Sequence, residues 1–221
     1  MERKRARLVE LSHPIRHGLV TYPGLPGPEI TDHLSREAAA SLYGPGTSFH
    51  IARISMVANT GTYVDSPFHR FAEGADLAAV PLDRMADVEG IVIRISGARA
   101  IDRDRLAGRD VRGKAVLLHT GWDRNWETSA YGTEAPFLGA GATEWLVGEG
   151  AALVGIDSVN IDDVADKLRP AHTGLLRAGI PIVEHLCGLD QLPETGFRFH
   201  AAPPRVERFG SFPVRAYAVL S

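Results

Sequence analysis

The stretch from residue 59 to residue 69 places reactive side chains between two residues that restrict the backbone, and this feature most constrains the fold. Gly61 allows backbone angles that other residues avoid, whereas Pro67 fixes φ and removes a hydrogen-bond donor. In an extended segment Tyr63 and Asp65 point to the same side, because side chains alternate with period two. The stretch therefore predicts a rigid turn that carries a binding or catalytic site. Its candidate side chains are a phenol, a carboxylate and an imidazole: Tyr63, Asp65 and His69.

Hydrophobic patterning predicts a mixed chain in which strands and helices alternate in the C-terminal half, after a strand- and loop-rich N-terminal half. The predicted fold class is therefore α/β or α+β. No linker or repeat divides the chain, and 221 residues suffice for a sizeable core, so we predict one domain over residues 1–221. The predicted strands are 8–11, 49–58, 88–95, 114–119, 152–156, 180–186 and 212–220, and the predicted helices are 141–149 and 172–178.

Composition narrows the possible partners. A formal net charge of -3 argues against nucleic acid, since phosphate binding requires a basic surface. No apolar stretch reaches the length of a signal peptide or a membrane span, so no membrane partner is expected. Cys187 is the single cysteine, which excludes an intrachain disulfide and a cysteine metal cluster. These features predict a cytoplasmic protein that acts on a small molecule.

The stretch resembles the signature His-x-Gly-Thr-His-x-Asp-x-Pro-x-His of the cyclase family, which includes bacterial kynurenine formamidase and isatin hydrolase. It differs from the signature at Asn59 and Tyr63, which stand where the family carries two metal-binding histidines. A tyrosine is rarely a ligand of Zn²⁺ or Mn²⁺, because its pKa near 10 makes deprotonation costly. The asparagine offers a carbonyl oxygen, which suits harder ions. The matching positions are Gly61, Thr62, Asp65, Pro67 and His69.

The resemblance extends along most of the chain. Residues 11–14 and 22–24 match the family's N-terminal turn and its Tyr-Pro-Gly segment, which in the family helps to cover the active site. The corner at residues 155–162 resembles the family's Gly-Ile-Asp-x-x-Ser-Ile-Asp, with Asn160 in place of the serine. The resemblance implies a swivelling β/β/α fold and a homodimer or homotetramer.

The resemblance also implies a reduced site that holds one divalent metal, Zn or Mn, on Asp65, His172 and Glu184. His69 would transfer protons. The carboxylate at 184 is predicted to lie within an apolar strand, where it needs a cation, a partner or a proton. The neighbouring His185 would face the opposite side of that strand and is not assigned to the site. The residues expected around the substrate are Asn59, Trp122, Phe137 and Asp157, with 122–137 as a covering loop.

Three functions remain open at this point. The first is a metal-assisted hydrolase that acts on a C–N bond (amide, lactam or formamide) or an ester of a small cyclic or aromatic substrate. The second is a metal-independent cyclase, dehydratase or isomerase in which Tyr63 and His69 exchange protons while Asp65 orients them. The third is a non-catalytic ligand-binding protein. Each side chain also has a structural alternative, such as a capped turn at Asp65 or simple packing at Trp122 and Phe137.

Overall fold

The computed structural model describes residues 6–220. Helices α1, α2 and α3 span Arg36–Ala40, Ala140–Glu149 and Pro170–Arg177. Short 3₁₀ helices span Pro67–His69, Leu82–Arg84, Arg103–Arg105, Trp122–Asn125 and Leu189–Gln191. The strands are β1 (Arg7–Glu10), β2 (Glu29–Leu34), β3 (Ile51–Ser55), β4 (Tyr63–Asp65), β5 (Val88–Arg94), β6 (Ala100–Ile101), β7 (Ala115–His119), β8 (Phe137–Leu138), β9 (Leu153–Ile156), β10 (Ile182–Glu184), β11 (Phe197–His200), β12 (Ser211–Pro213) and β13 (Tyr217–Leu220).

Within residues 6–220, nine strands form one sheet in the order β1-β13-β11-β5-β7-β9-β10-β4-β12. The four central strands, β5, β7, β9 and β10, run parallel, and the flanking strands are antiparallel. Central parallel strands are covered on both faces, which explains why β9 is buried along its whole length. This arrangement confirms the predicted mixed α/β class.

The two faces of the sheet pack against different partners. Ile91 and Ile93 point to the face covered by α2 and α3, whereas Val92 between them joins the core on the other face. This alternation follows from the period-two geometry of a strand. Gly90 is required in β5, because a Cβ there would lie 2.0 Å from the ring of Phe197. The sheet thus separates two hydrophobic cores and leaves its strand ends to form a site.

Two strand predictions were wrong in part. The predicted strand 49–58 is shorter, and as β3 it pairs only with β2 in a separate, exposed two-stranded arm. The predicted strand 212–220 is two strands: β12 pairs with β4, and β13 pairs with β1 and β11. Pro213 at the end of β12 has no N–H to continue a ladder, which is consistent with the break.

Candidate active site and metal centre

The candidate site lies where β4 runs antiparallel beside the end of β10. The register pairs Tyr63 with Glu184 and Asp65 with Ile182. Tyr63 and Asp65 are two residues apart, so both side chains project to one face, as predicted, and meet the carboxylate from β10. All three are buried, at 3%, 0% and 0% exposure. The register therefore places a phenol and two carboxylates side by side in the interior.

His172 enters this group from the first turn of α3. Asp162 caps the helix by accepting hydrogen bonds from the backbone N–H groups of Ala171 (2.6 Å) and His172 (3.0 Å). The same carboxylate lies 2.6 Å from Nδ1 of the His172 ring. A carboxylate on one ring nitrogen holds the proton there and leaves the other nitrogen free to bind a metal. Asp162 therefore orients Nε2 of His172 toward Asp65 and Glu184.

Both carboxylates lie close to the free ring nitrogen of His172. His172 Nε2 lies 3.6 Å from Asp65 Oδ2 and 3.7 Å from Glu184 Oε1. Ligand atoms 2.0–2.1 Å from a tetrahedral ion lie about 3.4 Å apart. Asp65 Oδ2 is buried without a hydrogen-bond partner among the described residues, as expected for an oxygen with another ligand. Donor atoms of Asp65, His69 and His172 lie within 4.8 Å of one another and form a possible metal site.

Burial and charge shift the pKa values of these groups. Burial opposes the imidazolium of His172, but hydrogen bonds and charge from the surrounding carboxylates outweigh it and raise its pKa to about 10. Burial would raise the pKa of Asp65, yet the contact with His172, the charge of His69 and the Ser211 hydroxyl lower it. Burial raises the pKa of Glu184 to about 7. The buried carboxylates thus depend on nearby positive charge, which a proton or a metal ion can supply.

Tyr63, which stands at a histidine position of the signature that the chain resembles, makes a hydrogen bond to a carboxylate. Its hydroxyl donates a hydrogen bond to Oε2 of Glu184, while Oε1 accepts one from Ile161 N at 2.6 Å. Burial, together with the charge of Glu184, raises the pKa of Tyr63 well above its usual value. The residue is therefore a phenol that donates a proton in a hydrogen bond, and Asn59 lies beside it in the wall of the same cavity.

His69 connects to Asp65 through Ser211 on β12. The Ser211 hydroxyl donates to Oδ1 of Asp65, and Ser211 Oγ lies 2.8 Å from Nδ1 of His69. Since the hydroxyl has one proton and directs it at Asp65, His69 donates its Nδ1–H to Ser211. In the neutral form of the ring, the other nitrogen, Nε2, carries a free lone pair. The side chain of His69 is 35% exposed, so it can exchange protons with a bound molecule.

A cavity of about 300 Å³ opens onto these groups. Its volume lies at the lower end of the range for small-molecule sites. Tyr22 and Leu25, from the Pro- and Gly-rich segment, contribute an aromatic and an apolar wall, and that agrees with the covering role implied by the resemblance. The remaining lining residues are Asn59, Tyr63, His69, Arg70, Asn160, Arg169, His172 and Glu184.

Three residues expected near the substrate lie elsewhere. Asp157 accepts hydrogen bonds from the backbone N–H groups of Thr120 and Gly121, so its carboxylate fixes that corner. The indole N–H of Trp122 donates to the Tyr131 carbonyl at 2.8 Å. Phe137, in β8, pairs with Ala100 of β6, and the guanidinium of Arg99 lies over its ring. Among the described residues, none of the three lines the cavity, because the loop packs back on the domain.

Some site residues escaped sequence reasoning. Asp162 belongs to a corner that had been recognised, but its contact with His172 depends on the fold of α3. Ser211 follows Asp65 by 146 residues and has no local signal in the sequence. Arg169 in the cavity wall was also not identified. Such residues become visible only when distant strands and loops are brought together.

A second group of rings packs on the other side of the end of β10, and we call it the aromatic–imidazole cluster. It consists of His13, Trp126, Tyr131 and His185. His185 follows the last residue of β10, its Nδ1 lies 2.8 Å from the Tyr131 hydroxyl, and its ring centroid lies 5.3 Å from that of Tyr63. His13 stacks on Trp126 with ring centroids 3.9 Å apart. Burial lowers the pKa of His185 to about 3 and that of His13 to about 4, so both rings are neutral.

Comparison with known proteins identifies the family. The sequence profile of the family described as "Putative cyclase" matches residues 9–163, which is more than half of the chain. The chain belongs to the cyclase family. This cyclase-family chain is 33% identical to kynurenine formamidase of Geobacillus thermodenitrificans over 171 residues, covering 76% of this chain and 79% of that enzyme.

Solved structures agree with this assignment. A "predicted metal-dependent hydrolase" from Bacillus stearothermophilus is 25% identical, with a TM-score of 0.78 over 98% of this chain and 99% of that one. Isatin hydrolase A from Ralstonia solanacearum shares the fold, with a TM-score of 0.82 and 23% identity over 98% of this chain and 92% of that one. The predicted family, fold and hydrolase class are thereby confirmed for the cyclase-family chain.

Proposed function

We propose that this cyclase-family chain hydrolyses a C–N bond (an amide, lactam or formamide) or an ester in a small cyclic or aromatic substrate. The observation that carries the proposal is the approach of His172 Nε2 to the carboxylates of Asp65 and Glu184, at 3.6 and 3.7 Å, beside a small cavity. Donor atoms of Asp65, His69 and His172 also lie within 4.8 Å of one another. The names of the relatives, kynurenine formamidase and isatin hydrolase, support the same reaction class.

The three donors would hold one Zn²⁺ or Mn²⁺, ions that accept nitrogen and carboxylate ligands. When bound, such an ion supplies a Lewis acid that polarises a carbonyl oxygen and lowers the pKa of water. The chain replaces both histidines of the family's first site, at Asn59 and Tyr63, so the proposed centre is mononuclear. Tyr63 instead holds Glu184 in place through its hydrogen bond.

His69 moves the proton in this proposal. Its free Nε2 accepts a proton from the water that attacks the carbonyl carbon. A C–O bond forms, the C–N bond breaks, and the same nitrogen returns the proton to the leaving amine, giving a carboxylic acid and an amine. Ser211 holds the other face of the ring, and Asp65 holds Ser211. Asp65 thus has one oxygen directed to the metal position and one to the proton-transfer chain.

The first test is the metal content of the untagged protein by plasma mass spectrometry. About one Zn or Mn per chain, lost in Asp65→Ala, is expected. Activity on a panel of formanilides, lactams and esters should disappear with a chelator and return with Zn²⁺ or Mn²⁺. A protein that takes up neither ion after incubation with both would disprove this mechanism, and a protein that binds metal without turnover on any of these classes would disprove the reaction.

A second candidate function follows from the hydroxyl of Tyr63, which lies in the cavity wall against a carboxylate of raised pKa. In that case Tyr63 and His69 exchange protons in a metal-independent cyclase, dehydratase or isomerase. Activity would then be indifferent to a chelator and would be abolished by Tyr63→Phe. The high pKa of Tyr63 opposes proton loss, and for that reason we favour the metal-assisted hydrolase.

We also propose a homodimer or a tetramer built from dimers, supported by the arm of β2 and β3. Its apolar side chains are exposed: Ile30 at 37%, Ile51 at 47% and Ile54 at 49%. Contiguous exposed apolar groups mark interaction surfaces. Light scattering should show the oligomer, and Ile51→Glu with Ile54→Glu should yield the monomer.

Two further expectations stay predictions. We propose that residues 1–221 form one domain, since β1 near the start of the chain pairs with β13 near its end. The cytoplasmic location also remains a prediction, to be checked by cell fractionation. Among residues 6–220, no helix is long and apolar enough to cross a membrane.

A further inference from the structure

The wall of the cavity contains two guanidinium groups, from Arg70 and Arg169. Among residues 6–220, neither forms an ion pair with a carboxylate. The Nε–H of Arg70 donates to the Thr173 hydroxyl at 3.3 Å, a neutral partner. Five arginines outside the cavity do pair with acidic side chains: Arg16, Arg99, Arg109, Arg198 and Arg215. The cavity wall therefore presents two guanidinium groups without a direct carboxylate partner among the described residues.

Arg169 is held in place from one side only. Its Nη1–H groups donate to Asn160 Oδ1 and to the Asp163 carbonyl oxygen, both at 3.2 Å. The Asp163 carboxylate is occupied, because Arg99 binds both of its oxygens at 3.0 and 2.9 Å. Among the described residues, the Nε–H and Nη2–H groups of Arg169 have no protein acceptor. A guanidinium offers five donors, so the donors that remain can bind a ligand.

The backbone of Arg169 is strained. Its φ of 52° and ψ of 60° are left-handed, and Pro170 follows it. Residues with a Cβ adopt this region infrequently, and a following proline restricts the preceding residue further. Backbone strain clusters at functional sites, where the surrounding structure holds it. The strain here places the arginine at the entry to α3, three residues before His172.

We propose that Arg169, assisted by Arg70, binds a carboxylate of the substrate, so that the enzyme acts on anionic aromatic amides. A planar guanidinium fits the two oxygens of a carboxylate. Tyr22 and Leu25 in the same cavity offer contacts for an aromatic ring, and His69 and His172 line that cavity where the scissile group would lie. This inference rests on the proposed hydrolase function, since it assigns the charge of the substrate at the same site.

The kinetic test compares an anionic substrate with a neutral one of the same shape. The pair is 2-formamidobenzoate and its methyl ester, and the measured quantity is the ratio of their kcat/KM values for release of formate, which reports cleavage of the formamide alone. Arg169→Met should lower this ratio between about tenfold and a hundredfold, as expected for loss of a charged hydrogen bond. Arg215→Met is the matched control, because it removes the same charge from a side chain that is 84% exposed and pairs with Glu10. An unchanged ratio in Arg169→Met would overturn the proposal.

A binding measurement separates this proposal from the proposed reaction. Calorimetry with 2-aminobenzoate, which has no amide to hydrolyse, should show binding to the wild type and to Arg215→Met. Binding should weaken at least tenfold in Arg169→Met and less in Arg169→Lys, which keeps the charge but loses the planar fork. Equal binding to the wild type and Arg169→Met, or no binding to the wild type, would overturn the anion site.

The two proposals can fail separately. Binding that depends on Arg169 without turnover of either substrate would disprove the hydrolase and leave the anion site standing. If the wild type and Arg169→Met both turned over the methyl ester in preference to the acid, the anion site would be disproved and the hydrolase would stand. Thermal melts establish that each variant folds. Arg70→Met, at an exposed position, provides a second variant whose acid-to-ester ratio should fall, by less than in Arg169→Met.

Discussion

Two buried histidines near the end of β10 have pKa values that are shifted in opposite directions. His172 is 6% exposed and His185 is 0% exposed. The pKa of His172 is raised to about 10, because three carboxylates surround it. The pKa of His185 is lowered to about 3, since its neighbours are a tyrosine hydroxyl and aromatic rings.

The comparison shows that burial alone does not decide the charge of an imidazole. Without a partner, desolvation removes the proton, whereas carboxylates in the same low dielectric stabilise the charged form. The two environments are separated by one peptide, between Glu184 and His185. The metal centre is therefore a charged site built directly against a neutral aromatic–imidazole cluster, and substitutions on the two sides should have different effects.

The largest expected effect is on catalysis. His69→Ala should lower kcat by about 10²–10⁴-fold, the usual contribution of a proton-transfer group, while the metal content stays unchanged. Tyr131→Phe, in the aromatic–imidazole cluster, should change kcat by less than about threefold, because that cluster does not line the cavity. Steady-state kinetics and plasma mass spectrometry measure both quantities. Equal losses of kcat in the two variants would show that the candidate site and the aromatic–imidazole cluster are not functionally distinct.

The next effect is on metal affinity. Asp162→Asn should weaken metal binding about 10–100-fold, because it removes the carboxylate that orients His172. Asp163→Asn is the matched control, since its carboxylate pairs with Arg99 away from the ligands. Titration against a competing chelator measures the affinity. If both variants bound metal as tightly as the wild type, Asp162 would be only a helix cap.

Tyr63→Phe tests the hydrogen bond that replaces a family metal ligand. The free energy of unfolding should fall by about 1–3 kcal/mol, because a buried carboxylate loses its donor. Tyr131→Phe should lower the free energy of unfolding by less, about 0.5–1.5 kcal/mol, because the Tyr131 hydroxyl contacts a neutral ring. Urea titration measures both. Turnover should fall less than about tenfold in Tyr63→Phe; complete loss with full metal content would support the acid–base alternative.

The smallest effect is on the acid sensitivity of the fold. The unfolded chain protonates His13 below pH 6.5, whereas burial lowers the pKa of the folded residue to about 4. The unfolded state therefore binds more protons between these values, and stability falls as the pH drops from 6.5 to 4. His13→Phe keeps the stack on Trp126 but removes this titration. Between pH 7 and pH 5 the variant should lose about 1 kcal/mol less than the wild type; identical losses would contradict the assignment.

Sequence reasoning identified the chemistry better than the surroundings. Asp65, His69, His172 and Glu184 were recognisable because turn residues, an apolar strand and the family spacing surround them. The central parallel strands were predictable from their apolar runs. The positions of Trp122 and Phe137 were not, since an aromatic residue in a long loop fits both a cavity and the domain surface. The split of 212–220 depends on the pairing of β12 with β4 and of β13 with β1 and β11, which the local pattern does not reveal.

The position of β4 has a consequence for how the enzyme is made. The strand lies between β10 and β12, both of which follow it by more than a hundred residues in the chain. During synthesis, Asp65 leaves the ribosome well before Glu184 and Ser211 exist. Contacts across such long separations form slowly, because closing the intervening chain costs entropy. Metal uptake should therefore be among the last events of folding, and its rate would report when the central sheet closes.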